Sequence, residues 1–549
     1  MLEDLDLHSI ADDRARELVR QLLNLLEDVM TDLRVAQAEN QRLRDEINRL
    51  KGEQGRPTIK SNQPQPPSPD HSSEQERRKP KGWSKGRKID RISIDREQVV
   101  QVDPDCLPPD AQFKGYEEVV VQDVVFRTDN VLFHKEKFYS PSQHQTYLAS
   151  LPQGYNGQFG PGIKSLALVF YYGARMSEPK VAELLRSVGV QISDGQVSNL
   201  LIKDHAVFHA EKAALYQTGL ASSPWQHLDD TSTRVNGQNG YCHIVCNPLY
   251  TAYFTTATKD RLTVIDVLTN HRPRRFLVNA EALDVLEAGG LSAVRRRQVA
   301  QLPGETIMED ATMQAVLAAH LPGLGPQQRR WILDATAVAA YHADLEFPVV
   351  RLLVCDDAPQ FTLVTEELAL CWVHEGRHYK KLLPYIPRHR TLVEDFVQRF
   401  WTYYDQLLAY RERPTLAEAV RLEGEFEALF ATITGYEALD ERIAKTGAKK
   451  GCLLMVLTHP EIPLHNNPAE LGARARVRKR DVSFGPRTRE GAKAWDTFMT
   501  LAETATKLGV SFYHYMHDRV SGLYQIPALA DTIEERAKSL NLGASWNTS

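Results

Sequence analysis

The chain has 549 residues, enough for more than one domain, with 42% hydrophobic and 25% charged residues. Its formal net charge is −5, so bulk charge gives no support to nucleic-acid binding and any such surface must come from local clusters. The six cysteines form no CxxC pair, which favours reduced thiols. Since the sequence has neither an apolar run of about 18 residues nor a basic, then apolar leader, we expect a cytoplasmic protein without a membrane span.

The first 52 residues predict a coiled coil. Apolar or small residues recur in steps of three or four from Ala15 to Leu50, with one stutter at Val29–Leu33. Asn40 takes an a position, where a buried asparagine favours a parallel dimer. We therefore expect a homodimer or higher oligomer through residues 1–52. The alternative is a single amphipathic helix that packs on its own domain.

Residues 53–95 predict a disordered basic linker, because their first half is rich in Pro, Gln and Ser. Seven bases then fall within 77–88, a density that could neutralise several phosphates and give salt-dependent DNA affinity. A solvated linker segment is the alternative. The candidate DNA-binding residues of this run are Arg77, Arg78, Lys79, Lys81, Lys85, Arg87 and Lys88.

Residues 161–222 contain a pattern typical of a helix-turn-helix DNA-binding region. Within 176–201, one short helix ends near Gly189, and Ser193 with Gln196 forms a capping-box start for a second helix. A plain helical hairpin is the alternative interpretation. The residues expected to face inward are Val181, Leu184, Leu185, Val197, Leu200 and Leu201. The preceding region, 96–160, predicts short strands over 96–140.

Acidic residues interrupt or end two predicted strands. WQHLDDTSTRV (225–235) carries Asp229, and the buried-type strand VVRLLVCDDAPQF (349–361) ends at Asp356. Open α/β sheets place their chemistry at such strand ends, although aspartate is also common in turns there. A third acid, Glu470, begins a base-rich helical stretch, where a capping box with Asn467 or an ion pair with Arg474 would also explain it.

Three carboxylates that meet at one point would bind two Mg²⁺ ions, or Mn²⁺ in their place, because Mg²⁺ prefers oxygen ligands. Two such ions about 3.5–4 Å apart clamp the attacking and leaving oxygens of an in-line phosphoryl transfer. The separation of Asp229 and Asp356 is 127 residues. A plain strand-strand-helix-strand unit needs about 45–55 residues, so we expect an insertion in this core near 272–347. A second, helical insertion is expected near 388–448, where apolar residues recur with helical spacing.

At these residues the chain resembles the transposases of the insertion-sequence-66 family, whose core is an RNase H-like DDE domain. The motifs that carry the resemblance are Asp229-Asp230-Thr231, Cys371-Trp372 through His374 and Arg377, and Asn466-Asn467 through Ala469-Glu470. The resemblance implies that Asp229, Asp356 and Glu470 are the catalytic, metal-binding triad. It also implies that His374 and Arg377 support the active site.

The implied activity is Mg²⁺-dependent hydrolysis at the ends of a bacterial insertion sequence, followed by attack of the freed 3′-hydroxyl on a phosphate of the target DNA, which joins the two strands. Partners would be the element ends, the target DNA and element-encoded helper proteins, in the nucleoid-associated cytoplasm. Two alternatives are a nuclease without strand transfer and an inactive descendant that only binds DNA. The bases near Glu470 expected to contact DNA are Arg474, Arg478, Lys479 and Arg480.

The expected fold class is α/β, with a catalytic core over 223–505 and a C-terminal tail over 506–549. Three departures indicate a divergent subgroup of the family. Leu471 replaces an arginine that usually follows the catalytic glutamate, and Gly376 replaces the first of two arginines after the histidine. Since Cys106 is the one cysteine near a zinc site that many members have, residues 96–160 are predicted to be a small region in place of that domain.

Overall fold

The structure, a computed structural model, describes residue 7 and residues 10–50, 92–108 and 111–548. Helix α1 spans Asp13–Leu50 and covers nearly all of the predicted heptad pattern. The basic run at 77–88 and most of the linker predicted over 53–95 lie outside the described residues. The DNA-binding prediction for that run therefore stays a prediction.

Helix α1 has one face on the core and another open to solvent. Glu27 is only 2% exposed, and its carboxylate accepts hydrogen bonds from the backbone N–H groups of Tyr385 (2.6 Å) and Ile386 (3.1 Å). Seam residues remain exposed, among them Leu25 at 60% and Leu43 at 52%. The helix thus packs on its own domain, as the alternative expected, while the seam predicted for dimerisation stays unpaired in the single chain.

The region between the linker and the first core helix is largely extended and exposed. It has a 3₁₀ turn at Pro104–Cys106 and one antiparallel hairpin of β1 (Lys137–Ser140) and β2 (Gln145–Leu148). Apart from β1, the strands predicted over 96–140 are absent from the described residues. Extended strands need a partner that buries one face, and here even Val121 is 81% exposed.

Helices precede the main sheet and include the predicted helix-turn-helix pattern. The Ser193–Gln196 capping box is present in both directions, and Gly189 makes the turn with a φ of +94°. Val181, Leu185, Val197 and Leu201 are buried as expected, while Leu184 and Leu200 are half-buried. The elements are α2 (Pro161–Leu168), a π-helical turn at Val169–Gly173, α3 (Glu178–Ser187), α4 (Asp194–Ile202) and α5 (Ala206–Ala221).

The sheet begins with three antiparallel strands that follow each other directly, β3 (Trp225–Val235), β4 (Gln238–Cys246) and β5 (Thr251–Thr256). Helix α6 (Arg261–Leu268) closes this unit, starting at the Asp260 cap. The first predicted insertion is a folded unit. It contains β6 (Arg275–Phe276), α7 (Ala280–Ala288), α8 (Ala293–Val299), β7 (Met308–Glu309), α9 (Asp310–His320) and α10 (Pro326–His342).

The chain then returns to the sheet with two parallel strands, β8 (Leu352–Cys355) and β9 (Glu367–Leu370). The strand order is β5-β4-β3-β8-β9, so the protein is mixed α/β with one five-stranded mixed sheet. β8 is buried along its whole length, as strands covered on both faces are. The long antiparallel β3 lies in the middle, where it carries Asp229.

Helices fill the rest of the chain, including the second predicted insertion. The C-terminal region predicted as a tail is helical, and it packs back on the helices before the sheet, with α19 against α2 and α20 against α5. These helices are α11 (Trp372–Lys380), α12 (Pro387–Glu412), α13 (Leu416–Phe430), α14 (Glu437–Gly447), α15 (Lys450–Leu453), α16 (Met455–Thr458), α17 (Asn467–Ser483), α18 (Arg489–Lys507), α19 (Phe512–Ser521) and α20 (Leu529–Leu540). Among the described helices, none combines the length and apolar character that a bilayer crossing needs.

Candidate active site

Two of the predicted acids lie side by side at the end of the parallel strand pair. β3 pairs with β8 in the register Trp225↔Leu352 and His227↔Val354. Continuing that register by two residues places Asp356, the first residue after β8, beside Asp229. Because side chains alternate along a strand, His227 and Asp229 share a face of the sheet.

Helix α17 is anchored next to these acids through Asn466. This residue is 2% exposed; its Nδ2 donates to the Leu228 carbonyl (2.8 Å), and its Oδ1 lies 3.0 Å from Nδ1 of His227. The side chain of Asn466 therefore holds the start of α17 against β3. The capping box predicted for Asn467 and Glu470 is wrong, because Asn466 precedes the helix and makes no side-chain cap.

A close approach of α17 to the sheet brings Glu470 toward the aspartates. Gly472 faces β4, where an added Cβ would meet Cγ2 of Ile244 at 2.8 Å. The Tyr253 hydroxyl donates to the Gly472 carbonyl (3.2 Å), which holds the contact from β5. A Cβ would clash at this position, so the N-terminal part of α17 packs directly on the strands β4 and β5.

The carboxylate of Glu470 is held by Arg377 from α11. Nη1 and Nη2 donate to its two oxygens at 3.2 and 2.9 Å, a bidentate arrangement. The side chain of Glu470 is 19% exposed and that of Arg377 45%. The ion pair predicted with Arg474 is replaced by this one, which comes from a helix 93 residues earlier in the chain.

Burial and mutual repulsion disturb the titration of the aspartates. Burial, followed by the charge of Asp356 and more weakly that of Glu470, raises the pKa of Asp229 from 3.8 to about 7. Burial also raises the pKa of Asp356, which the nearby His374 opposes. Carboxylates that resist ionisation next to one another are stabilised in the charged form by a divalent cation. Asp229, Asp356 and Glu470, called the acid triad below, therefore fit a Mg²⁺ site by donor chemistry.

The neighbouring acid of each pair has a different partner. Asp230 accepts hydrogen bonds from Lys259 (3.1 Å) and Gln360 (2.6 Å). Asp357 accepts one from Lys449 at 2.7 Å. Asp230 and Asp357 are thus each paired with a lysine, and the choice of Asp229 and Asp356 as the triad members stays a prediction.

Cys371 links the two helices that carry Arg377 and Glu470. Its Sγ accepts a hydrogen bond from the His374 N–H (3.4 Å), which caps α11, and another from the Asn466 N–H (3.2 Å) at the start of α17. The thiol is buried, and burial raises its pKa to about 12, so it is not a thiolate ligand. The side chain of His374 is close enough for its charge to act on Asp356, and its supporting role stays a prediction.

Gly376 stands where the resemblance noted in the sequence would have an arginine. A Cβ at this position would lie 2.6 Å from the Trp401 ring and 3.2 Å from Phe400, both on α12. An arginine cannot be accommodated there without displacing the helical insertion. Arg377, one residue later, is thus left as the arginine that reaches Glu470.

Sequence reasoning missed a second group of polar residues beside the triad. His378 follows His374 by one helical turn, and their rings lie 5.7 Å apart. Ligand atoms of Asp357, His374 and His378 all lie within 4.8 Å of one another. The signal was available, because histidines four residues apart share one face of a helix. Lys449 was also missed; its ammonium joins Asp357 to Glu375 (2.9 Å).

The bases of α17 divide into exposed and buried residues. Arg474 and Arg478 are exposed, and the half-buried Arg480 donates to the Ser232 carbonyl at 2.7 Å. Lys479 is fully buried: it donates to the Met176 carbonyl (2.9 Å) and lies 3.1 Å from the centre of the Tyr171 ring. Burial lowers its pKa to about 6. The prediction that Lys479 contacts DNA is therefore wrong.

The candidate DNA reader, α3 with α4, packs against the core rather than standing apart from it. The Tyr172 hydroxyl donates to the Leu201 carbonyl (2.8 Å), and α4 also contacts α18. Arg186 pairs with Asp194 at 2.6 Å across the turn, and Asn199 is exposed one turn further along α4. The start of α4 thus presents polar groups of both charges to solvent.

Comparison with known proteins gives a relative without an assigned activity. No protein-family model matches the sequence. The chain is 31% identical over 309 residues to an uncharacterized protein of Sinorhizobium fredii, y4jO, and the match covers 56% of this chain and 94% of that protein. The chain therefore belongs to the same family as this Sinorhizobium fredii protein.

Proposed function

We propose that the protein is a DNA transposase with an RNase H-like core, which cleaves and joins DNA strands by Mg²⁺-dependent phosphoryl transfer. The observation that supports this proposal is that Asp229 and Asp356 lie side by side on paired strands, with Glu470 close enough for its charge to act on Asp229. Asp229 comes from the middle strand, Asp356 from the end of the adjacent parallel strand and Glu470 from a later helix. The order of three antiparallel strands followed by two parallel ones supports an RNase H-like core.

Asp229, Asp356 and Glu470 would hold two Mg²⁺ ions, and such ions would supply activation of the attacking oxygen and charge stabilisation for the leaving oxygen. In the described structure Arg377 supplies the positive charge next to Glu470 instead. If Glu470 bound a metal, it would release Arg377. The guanidinium of Arg377 would then be free to bind a phosphate of the DNA. Arg377 would then orient the scissile phosphate.

Exposed bases next to the triad support a DNA substrate. Arg474 and Arg478 lie one and two turns beyond Glu470 on α17, and both are open to solvent. Contacts from such residues to phosphates fix the register of DNA without reading its sequence. The α3–α4 pair is the proposed source of sequence preference, and the bases of 77–88 are proposed to add salt-dependent affinity.

The test is a cleavage assay with the DNA that flanks the gene. A supercoiled plasmid carrying both flanks, incubated with the full chain and Mg²⁺, should be cut at the element ends and yield strand-transfer products. Asp229→Asn, Asp356→Asn and Glu470→Gln should each reduce cutting by orders of magnitude while DNA binding persists. The losses should not add in combination, because the acids act as one metal-binding unit.

Matched controls separate the triad from general effects of charge. Asp481→Asn removes an exposed carboxylate from the same helix as Glu470 and should cut like the wild type. Cutting without strand transfer would favour the nuclease alternative. Binding without cutting at any Mg²⁺ or Mn²⁺ concentration, or with added element-encoded helper proteins, would favour the inactive DNA-binding descendant and overturn the proposal.

A further inference from the structure

Beside the acid triad, three side chains form a second cluster, called the imidazole cluster here: Asp357, His374 and His378. One ligand atom from each lies within 4.8 Å of the other two. The two histidines occupy consecutive turns of α11, and the aspartate follows β8. Two structural elements therefore converge on one small volume.

One member of the cluster has a nitrogen without a partner. Nε2 of His378 is shielded from solvent, has no hydrogen-bond partner in the described part of the chain and lies 3.9 Å from Oδ2 of Asp357. A buried polar atom left unsatisfied costs free energy, because it has lost its hydrogen bonds to water. A metal ion bound to this nitrogen would remove that cost.

We infer that the imidazole cluster binds one divalent transition-metal ion of the Zn²⁺ type, at a site separate from the Mg²⁺ carboxylates. Imidazole nitrogen suits Zn²⁺, whereas Mg²⁺ takes oxygen ligands and keeps several waters. Two histidines and one carboxylate are a known three-ligand set for zinc, with the fourth position left to water or another ligand. Small rotamer changes would bring the three atoms to about 2.0–2.2 Å from one ion.

Residues around the cluster hold Asp357 in place for this role. Lys449 donates to Oδ2 of Asp357 (2.7 Å) and to the buried Glu375 (2.9 Å), which also accepts from Thr446 (2.6 Å). A carboxylate offers about four lone-pair positions, so the lysine and a metal can share it. Ligating carboxylates are commonly hydrogen-bonded in this way, which fixes their orientation.

The position of the cluster gives the ion a structural consequence. Asp357 directly follows Asp356 in the chain. His374 and Arg377 both lie on α11, about one helical turn apart. An ion here would tie the loop after β8 to α11, and so hold the triad aspartate and the arginine partner of Glu470 in fixed relation. It would bind in the absence of DNA and independently of Mg²⁺.

The test is Zn²⁺ binding by the full chain in the presence of millimolar Mg²⁺, measured by calorimetry, with Co²⁺ absorption as a second readout. The wild type should bind one Zn²⁺ at micromolar concentration or tighter, and Co²⁺ should give a visible spectrum with nitrogen ligands. His374→Ala and His378→Ala should each weaken that binding at least tenfold, with the melting temperature in EDTA monitored to confirm folding.

Two control variants make the result decisive. His320→Ala removes an exposed histidine at the end of α9, outside the imidazole cluster, and should leave Zn²⁺ binding unchanged. Glu470→Gln should also keep it, because the proposed ion does not use the acid triad. If His374→Ala and His378→Ala both bind like the wild type, or if Glu470→Gln abolishes binding, the imidazole cluster is not the site. Neither of those results would bear on Mg²⁺-dependent cleavage.

Discussion

Arg377 on α11 donates parallel hydrogen bonds to both oxygens of Glu470 on α17, at 3.2 and 2.9 Å. The pair joins two helices that are held together a second time by Cys371 and Asn466. Arg377 therefore neutralises the charge of Glu470 in this structure. A metal ion that binds Glu470 must therefore compete with a bidentate guanidinium.

This competition gives the first prediction. Arg377→Ala should make Mg²⁺ binding in the absence of DNA tighter by several-fold, because Glu470 no longer has to leave an arginine, while strand cleavage should fall. Calorimetry with Mg²⁺ and the plasmid assay measure the two effects. Arg390→Ala, an exposed arginine on α12, should change neither. If Arg377→Ala leaves both the Mg²⁺ affinity and cleavage at wild-type values, the pair has no part in the site.

The raised pKa of Asp229 predicts a pH-dependent stability. Burial and the neighbouring acids raise this pKa from 3.8 to about 7, so the folded protein holds a proton that the unfolded chain releases. In EDTA, stability from this group is complete below pH 4 and is lost as the pH rises toward 7. Asp229→Asn should therefore raise the free energy of unfolding at pH 8 by about 4 kcal/mol.

Thermal or urea unfolding between pH 4 and pH 8 measures this difference, which should shrink toward pH 4. Mg²⁺ should stabilise the wild type at pH 8 and have little effect on Asp229→Asn, because the variant lacks one charged ligand. An equal stability gain at both pH values would mean that Asp229 is not the group that titrates.

The bases of α17 should separate into structural and DNA-contacting residues. Arg476 is 1% exposed, pairs with Asp496 at 3.1 Å and donates to Thr255 at 2.6 Å, so it joins α17 to α18 and β5. Breaking a buried pair from one side costs about 3–5 kcal/mol. Arg476→Ala should therefore lower the melting temperature strongly.

Arg474→Ala is the matched comparison, since it lies on the opposite, exposed side of the same helix. It should leave the melting temperature unchanged and weaken DNA binding, with a smaller dependence on salt. Circular dichroism and a binding titration at two salt concentrations provide both measurements. The assignment is contradicted if Arg474→Ala unfolds the protein and Arg476→Ala does not.

The exposed seam of α1 predicts self-association. Leu18 and Leu25 are 58% and 60% exposed, although the other face of the helix is held by the buried Glu27. Replacing both leucines by glutamate should convert a dimer into a monomer in sedimentation while the melting temperature of the core is kept. Val35→Glu with Ala38→Glu adds the same charge at exposed positions on the side of the helix away from the seam and should leave the dimer intact. A wild-type monomer at micromolar concentration would disprove the prediction.

The sequence predicted elements where the local pattern was complete. β3 matches the quoted strand WQHLDDTSTRV, and the capping box at Ser193 is present, since both depend on residues that are close in the chain. The first insertion was predicted from spacing, because a plain unit cannot fill 127 residues, and the second from its helical apolar periodicity. The acid pairs at the strand ends were likewise visible in the sequence.

Contacts between distant segments could not be predicted in the same way. Arg377 reaches Glu470 across 93 residues, and Lys479 is buried because Tyr171 and the Met176 carbonyl, from the N-terminal helices, happen to cover that side of α17. From sequence alone, the closely spaced bases of α17 suggest a single charged surface. Only the packing of the helix shows which of them are buried. The contact of Asn466 was equally unpredictable, because its side-chain amide donates to the Leu228 carbonyl on β3 and does not cap α17.

The most direct test of the acid triad is a crystal structure of the full chain with Mn²⁺, located by its anomalous scattering. We predict a peak between Asp229 and Asp356, and a second about 3.5–4 Å away at Glu470, with the Arg377 pair opened. The Zn²⁺-type site at His374 and His378 would give a peak at a separate position. Mn²⁺-saturated crystals without a peak at Asp229 and Asp356 would contradict the account.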